Sequence, residues 1–146
     1  MKSRHRAREI ALQILYQYDL SQQSGQALPV AQGLIHDLKH HFEHFKVSED
    51  LREFVGQLVA GTLHNLPALD ETIEKHAVNW KVARMSSVDR SLLRMASYEM
   101  LHMGNEVAGS IVIDEAIEIA KQFGTAETPA FINGILDSIK NAKATP

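Results

Sequence analysis

Lys2, Arg4, Arg6 and Arg8 crowd four cationic side chains into the first eight residues, and they are the feature of this sequence with the clearest chemistry. A guanidinium group donates paired hydrogen bonds to phosphate and stacks on bases, so the cluster points to an anionic partner such as RNA. Successive arginines at positions 4, 6 and 8 lie about 200° apart on a helical wheel, so they surround a helix start and do not form one stripe. Positive charge at that end opposes the helix dipole, a mild cost that an anionic partner would offset. A solvated terminus is the competing reading. Phe131 is the second feature, standing one residue off the apolar stripe Ile132, Ile135, Leu136 and Ile139. An exposed ring there could stack a base for about 1–3 kcal/mol, whereas periodicity alone favours a core phenylalanine.

Two groupings invite a metal reading. His36, His40 and His44 are spaced by four, with His41 beside them, and neutral imidazoles at that spacing can hold a transition metal. Such sites also require a carboxylate or a second helix to orient the rings, and a wet helix face explains the same residues. Glu99 and His102 make one Glu-x-x-His step, with Asp114, Glu115 and Glu118 nearby in sequence. A di-metal bundle needs two such steps on separate helices, and this chain has one. The carboxylates at 114, 115 and 118 are accounted for as acids in the first turns of a helix. No glycine-rich phosphate cradle, nucleophile elbow or H-E-x-x-H step occurs, so the sequence carries no enzymatic motif and implies no cofactor.

The elements that position these residues are all helical in pattern. Ala7, Ile10, Ala11, Ile14, Leu15 and Tyr18 recur at spacings of three and four, predicting a helix over about 5–21 whose first turn is the arginine arm. Gly25 and Pro29 punctuate a loop, and Leu34, Ile35, Leu38, Phe42 and Phe45 mark a second helix. Ser48 caps a third, carried by Leu51, Phe54, Val55, Leu58 and Val59. Pro67 opens a fourth, with a stripe of Ile73, His76, Ala77 and Trp80. Ser86 and Asp89 form a capping-box-like start for a fifth, with Val88, Leu92, Leu93, Ala96 and Met100 on its apolar face. Val112, Ala116, Ile119, Ala120 and Phe123 give a sixth, closed by Gly124. Thr128 as cap and Pro129 just inside open a seventh. The expected fold is all-α, about seven helices in two small packed helical subdomains, about 1–66 and about 67–146.

Composition narrows the class. The chain has 146 residues, 45% of them hydrophobic and 23% charged, enough for a real core without staples. It has no cysteine, which rules out disulfide frameworks, zinc ribbons and thiol nucleophiles, and which fits a reducing, cytoplasmic setting. No apolar run approaches the roughly 20 residues of a membrane span. Net charge is -3, yet residues 1–10 carry four basic groups against Glu9 and so sum to +3, leaving -6 on residues 11–146. The pattern is a basic arm on an acidic body.

Three blocks of this sequence resemble the NusB family of bacterial transcription antitermination factors. Arg4-His5-Arg6-Ala7-Arg8-Glu9 runs into Ala11-Leu12-Gln13-Ile14-Leu15-Tyr16; Val88-Asp89-Arg90-Ser91-Leu92-Leu93-Arg94 leads to Tyr98-Glu99-Met100. The third runs from Ile113-Asp114-Glu115-Ala116 through Ala120-Lys121-Gln122-Phe123-Gly124 to Phe131-Ile132-Asn133-Gly134-Ile135-Leu136-Asp137. The resemblance spans almost the whole chain and is weakest over residues 22–50, which are rich in histidine. It implies a NusB-like fold of two helical subdomains and a non-enzymatic role: binding boxA-type single-stranded RNA as a heterodimer with NusE, a small-subunit ribosomal protein. The heterodimer serves an antitermination complex that keeps RNA polymerase reading through ribosomal RNA operons. Carried over residue by residue, it assigns RNA binding to Arg4, Arg6, Arg8 and Phe131, and NusE binding to Tyr16 and Asp89. It leaves open whether the chain alone is a monomer or a homodimer. Some relatives have Arg where this chain has His5, and basic residues where it has Glu127, Thr128, Pro129 and Ala130. An RNA-targeting module like that of certain ribosomal RNA methyltransferases is the nearest alternative, and a helical metal-binding protein a more distant one.

Overall fold

The computed structural model describes residues 2–144, and its regular elements are seven α-helices and one 3-10 turn. The chain divides into two compact units, the first ending at Leu63 and the second beginning at His64. No helix among the described residues is long and apolar enough to cross a membrane.

The first unit holds α1 (Lys2–Gln23), α2 (Gln32–His44) and nearly all of α3 (Glu49–His64). Every residue of the periodic stripe on α1, from Ala7 to Tyr18, is buried. Each large apolar side chain so removed from water contributes about 1.5–3 kcal/mol. Gly25, at φ 90, supplies the left-handed step that turns the chain out of α1. On α2 only Leu34 and Leu38 are buried. Ile35, expected on the apolar face, is instead 56% exposed, because the inward stripe of this helix is narrower than its hydrophobic pattern. The Tyr18 hydroxyl donates to Asp37 Oδ2 at 2.9 Å and ties α1 to α2. Phe54, Val55, Leu58 and Val59 form the buried face of α3.

The second unit holds α4 (Leu66–His76), the 3-10 turn Val82–Arg84, α5 (Ser87–His102), α6 (Gly109–Phe123) and α7 (Thr128–Ala144). Pro67 falls in the first turn of α4, where its missing N–H is not needed. α4 stops four residues before Trp80, so the expected helical stripe through Trp80 is corrected: Asn79 adopts φ 68 and turns the chain away. Asn tolerates that left-handed conformation better than other side chains, which is why it ends helices. Ser86 caps α5, its Oγ accepting the Asp89 N–H at 3.1 Å. Arg94 clamps Asp70 through two 2.7 Å bonds and fastens α5 to α4. Ile132, Ile135, Leu136 and Ile139 are all buried along α7.

The joint between α6 and α7 differs in detail from the expected caps. Gly124 closes α6 in extended backbone, with no left-handed turn. Glycine is needed there for space, since a Cβ would lie 2.6 Å from the Thr128 Cβ. Thr128 is the first residue of α7, and the Glu127 carbonyl already accepts the Phe131 N–H at 3.1 Å. The Thr128 hydroxyl works sideways, accepting the Thr125 N–H at 3.1 Å and donating to Asp89 Oδ1 at 2.8 Å.

Candidate nucleic-acid interface

The arginine arm is sorted by the helix that carries it. Arg4 and Arg8 lie one turn apart and share a platform on α3: their guanidinium carbons sit 4.4 Å and 5.2 Å from the Phe54 ring centroid. Such cation–π contacts contribute about 0.5–2 kcal/mol, more as water is excluded. Arg8 is only 3% exposed, so its charge belongs to the interior of the first unit. Arg6 projects to solvent and pairs with Glu9 at 3.4 Å. The arginines thus form a same-face pair and one outlier, and the arm exposes Arg6, paired with Glu9, more than Arg4. Tyr16 is half-buried further along α1.

In the second unit the structure brings Asp89 and Phe131 into one cleft of about 290 Å³, together with Trp80, Arg84 and Glu127. Phe131 is half-buried and packs against Trp80 in a T-shaped pair, with ring centroids 5.4 Å apart and planes at 71°. Trp80 itself is 52% exposed. The segment carrying Trp80 and Arg84 is held firmly. Glu74 Oε2 accepts the Val82 N–H at 3.0 Å, and the buried Arg90 guanidinium donates to the carbonyls of Val82 at 3.1 Å and Met85 at 2.7 Å. Asp89 is fixed from the other side by Thr128. The cleft therefore combines an aromatic corner, a cation and two carboxylates on rigid supports. Trp80 and Arg84 were missed in the sequence, where Trp80 continued the stripe of α4; Asn79 just before it was the available sign that the helix had ended.

The histidine face of α2 is built differently. His36, His40 and His44 are exposed, while His41 packs edge-on against Tyr18 at 6.1 Å and stacks with Phe45 at 6.4 Å. Burial lowers the His41 pKa below its usual 6.5, outweighing the attraction of Asp37, and His40 and His44 lower it further. Burial and the bond to Asp37 push the Tyr18 hydroxyl well above its ordinary range. Glu99 is buried and His102 exposed, the latter stacked on Tyr98 at 4.9 Å, so the Glu-x-x-His step is split between interior and surface. Among the described residues no group of three His, Cys, Asp or Glu is placed to hold a metal ion.

Comparison with known proteins covers both units. A family model described as NusB family matches residues 5–141. The chain is 45% identical over 139 residues to a transcription antitermination protein NusB of Desulfatibacillum aliphaticivorans, spanning 95% of this chain and 90% of that one. Among solved structures, T. maritima NusB is similar with a TM-score of 0.77 and 30% identity, over 94% of this chain and 90% of the other. A structure of antitermination factors NusB and NusE in complex with dsRNA is similar with a TM-score of 0.80 and 25% identity, over 97% and 98% of the two chains.

Proposed function

The chain belongs to the NusB family, and from that premise we propose that it is a transcription antitermination factor, binding boxA-type RNA together with NusE and catalysing no reaction. In this role it joins the cytoplasmic complex that carries RNA polymerase through ribosomal RNA operons. The observation that carries the reading is Phe131, which stands half-exposed at the first turn of α7 beside an exposed tryptophan, where a base can reach it. The relative solved with NusE and dsRNA supports both partners, and single-stranded boxA is the finer part of the proposal. Arg4 and Arg6 contact phosphate. Arg8 acts from inside the first unit, its guanidinium packed against the Phe54 ring that Arg4 also contacts. Tyr16 and Asp89 serve NusE. The test is a titration of boxA-like and scrambled RNA with and without NusE: tighter binding of the boxA-like RNA, strengthened by NusE, is expected. Equal affinity for both RNAs, unaltered by NusE, would falsify it.

A further inference from the structure

We infer that the cleft between Trp80 and Phe131 is a single-base pocket, in which Trp80 stacks an unpaired purine of the RNA and Phe131 closes the corner. This rests on the RNA-binding reading and adds to it a residue, a binding mode and a preference. The volume of about 290 Å³ sits at the lower edge of small-molecule pockets, which run from about 300 Å³ upward, so it suits one base or nucleoside. Trp80 is 52% exposed although it is a large aromatic ring with an aromatic neighbour 5.4 Å away, and an indole with half its surface in solvent has ring area to offer a base. Its support is rigid, because Glu74 and the buried Arg90 hold the segment that follows it, so stacking requires little ordering.

Charge decides what enters. Asp89 and Glu127 line the cleft, and their carboxylates repel phosphate, which leaves the uncharged base as the part of a nucleotide that fits inside. Arg84 is exposed at the same cleft and, among the described residues, is in no ion pair, so it is free to take the flanking phosphate. A base within a duplex has both faces covered by its neighbours, so only an unpaired or flipped base can use the indole. A purine presents the larger ring surface to it.

Trp80 is the only tryptophan of the chain, so its fluorescence reports the pocket directly. The experiment titrates the full chain, with NusE present, with boxA-like single-stranded RNA and with a copy in which every purine is replaced by uridine. Affinity is read independently from the anisotropy of end-labelled RNA. Quenching of Trp80 by the purine-bearing RNA, and weaker quenching by the uridine copy, is expected. Trp80→Leu, which keeps apolar bulk without a π-face, should lose about fivefold or more in affinity, and the loss should persist at high salt; Trp80→Phe should retain most of the binding. If Trp80→Leu does not fold, the quenching and Trp80→Phe still decide the matter. RNA that binds without quenching, with Trp80→Leu unchanged in affinity, overturns the pocket and leaves the RNA-binding reading intact. RNA that does not bind overturns both. A Trp80→Leu chain that loses NusE but keeps RNA makes the cleft a protein-contact face and likewise overturns the inference.

Discussion

Phe131 shows how partial burial separates a folding role from a binding role. Its ring is half-buried against Trp80, so Phe131→Ala removes an edge-to-face pair of about 0.5–1.5 kcal/mol and falls short of the about 3–5 kcal/mol lost when a fully buried phenylalanine is truncated. RNA affinity should drop about five- to a hundredfold and stay low at high salt, because stacking is not a counterion effect. Equal affinity with an unchanged melting temperature would remove Phe131 from the interface. Arg8 presents the opposite case. At 3% exposure it is part of the packing on Phe54, so its loss is felt first in stability.

At the scale of elements, Asp89 joins the starts of two helices. Its carboxylate sits in the first turn of α5, where the dipole favours negative charge by about 0.3–1 kcal/mol, and it accepts the Thr128 hydroxyl at the start of α7. Asp89→Asn keeps the acceptor for Thr128 and removes the charge, so folding should change little while NusE binding weakens. A fall in melting temperature with NusE affinity unaltered would confine Asp89 to a structural role. His41 couples α1 and α2 to pH. Burial depresses its pKa below 6.5, so as pH falls the unfolded chain takes up the proton first. The stability present at neutral pH should therefore decline as acidity passes below about pH 6.5 and on through the lower pKa of the folded chain. Denaturant titrations on either side of that pH should show the decline, and His41→Phe should flatten it. An identical decline in the variant would assign it to other groups.

Over the whole molecule, an acidic body carries a basic end, and only the exposed part of that end is available to phosphate. Single-stranded RNA gives a slope of log affinity on log salt of about -0.7 per phosphate neutralised, so Arg4 and Arg6 together account for about -1.4 and not the roughly -2 of three free arginines. Changing Arg4 and Arg6 to Ala should flatten the slope by that amount. Adding Arg8→Ala should lower stability without a further change in slope. A slope that flattens as much with Arg8→Ala alone as with Arg6→Ala would mean that Arg8 reaches the RNA after all.

What the sequence determined by itself follows from local physics. Apolar spacings of three and four, Pro67 in a first turn and Ser86 before Asp89 act within a few residues of each other, so seven helices and the buried stripes of α1 and α7 were legible in the letters, as were those of α5 and α6 except for the half-buried Val88 and Phe123. The blocks from Arg4 to Tyr16, around Asp89 and around Phe131 likewise made the NusB resemblance visible. What is buried and what meets what was not legible in the same way. Periodicity put Ile35 and Trp80 on apolar faces, yet both are exposed: a stripe records only which residues of a helix point together and not how wide a neighbour covers them, and Trp80 lies beyond the end of α4 altogether. Arg8 belonged to the RNA-binding arm in the sequence, and only the structure sets it, 3% exposed, against Phe54 of another helix. Trp80, Asp89 and Phe131 lie on three separate stretches of chain, and their common cleft exists only because Arg90 pins the segment before α5 while Thr128 locks α7 onto Asp89. Helices are set by neighbours in sequence; the site is set by hydrogen bonds and packing between residues distant in it, and only the tertiary structure decides those.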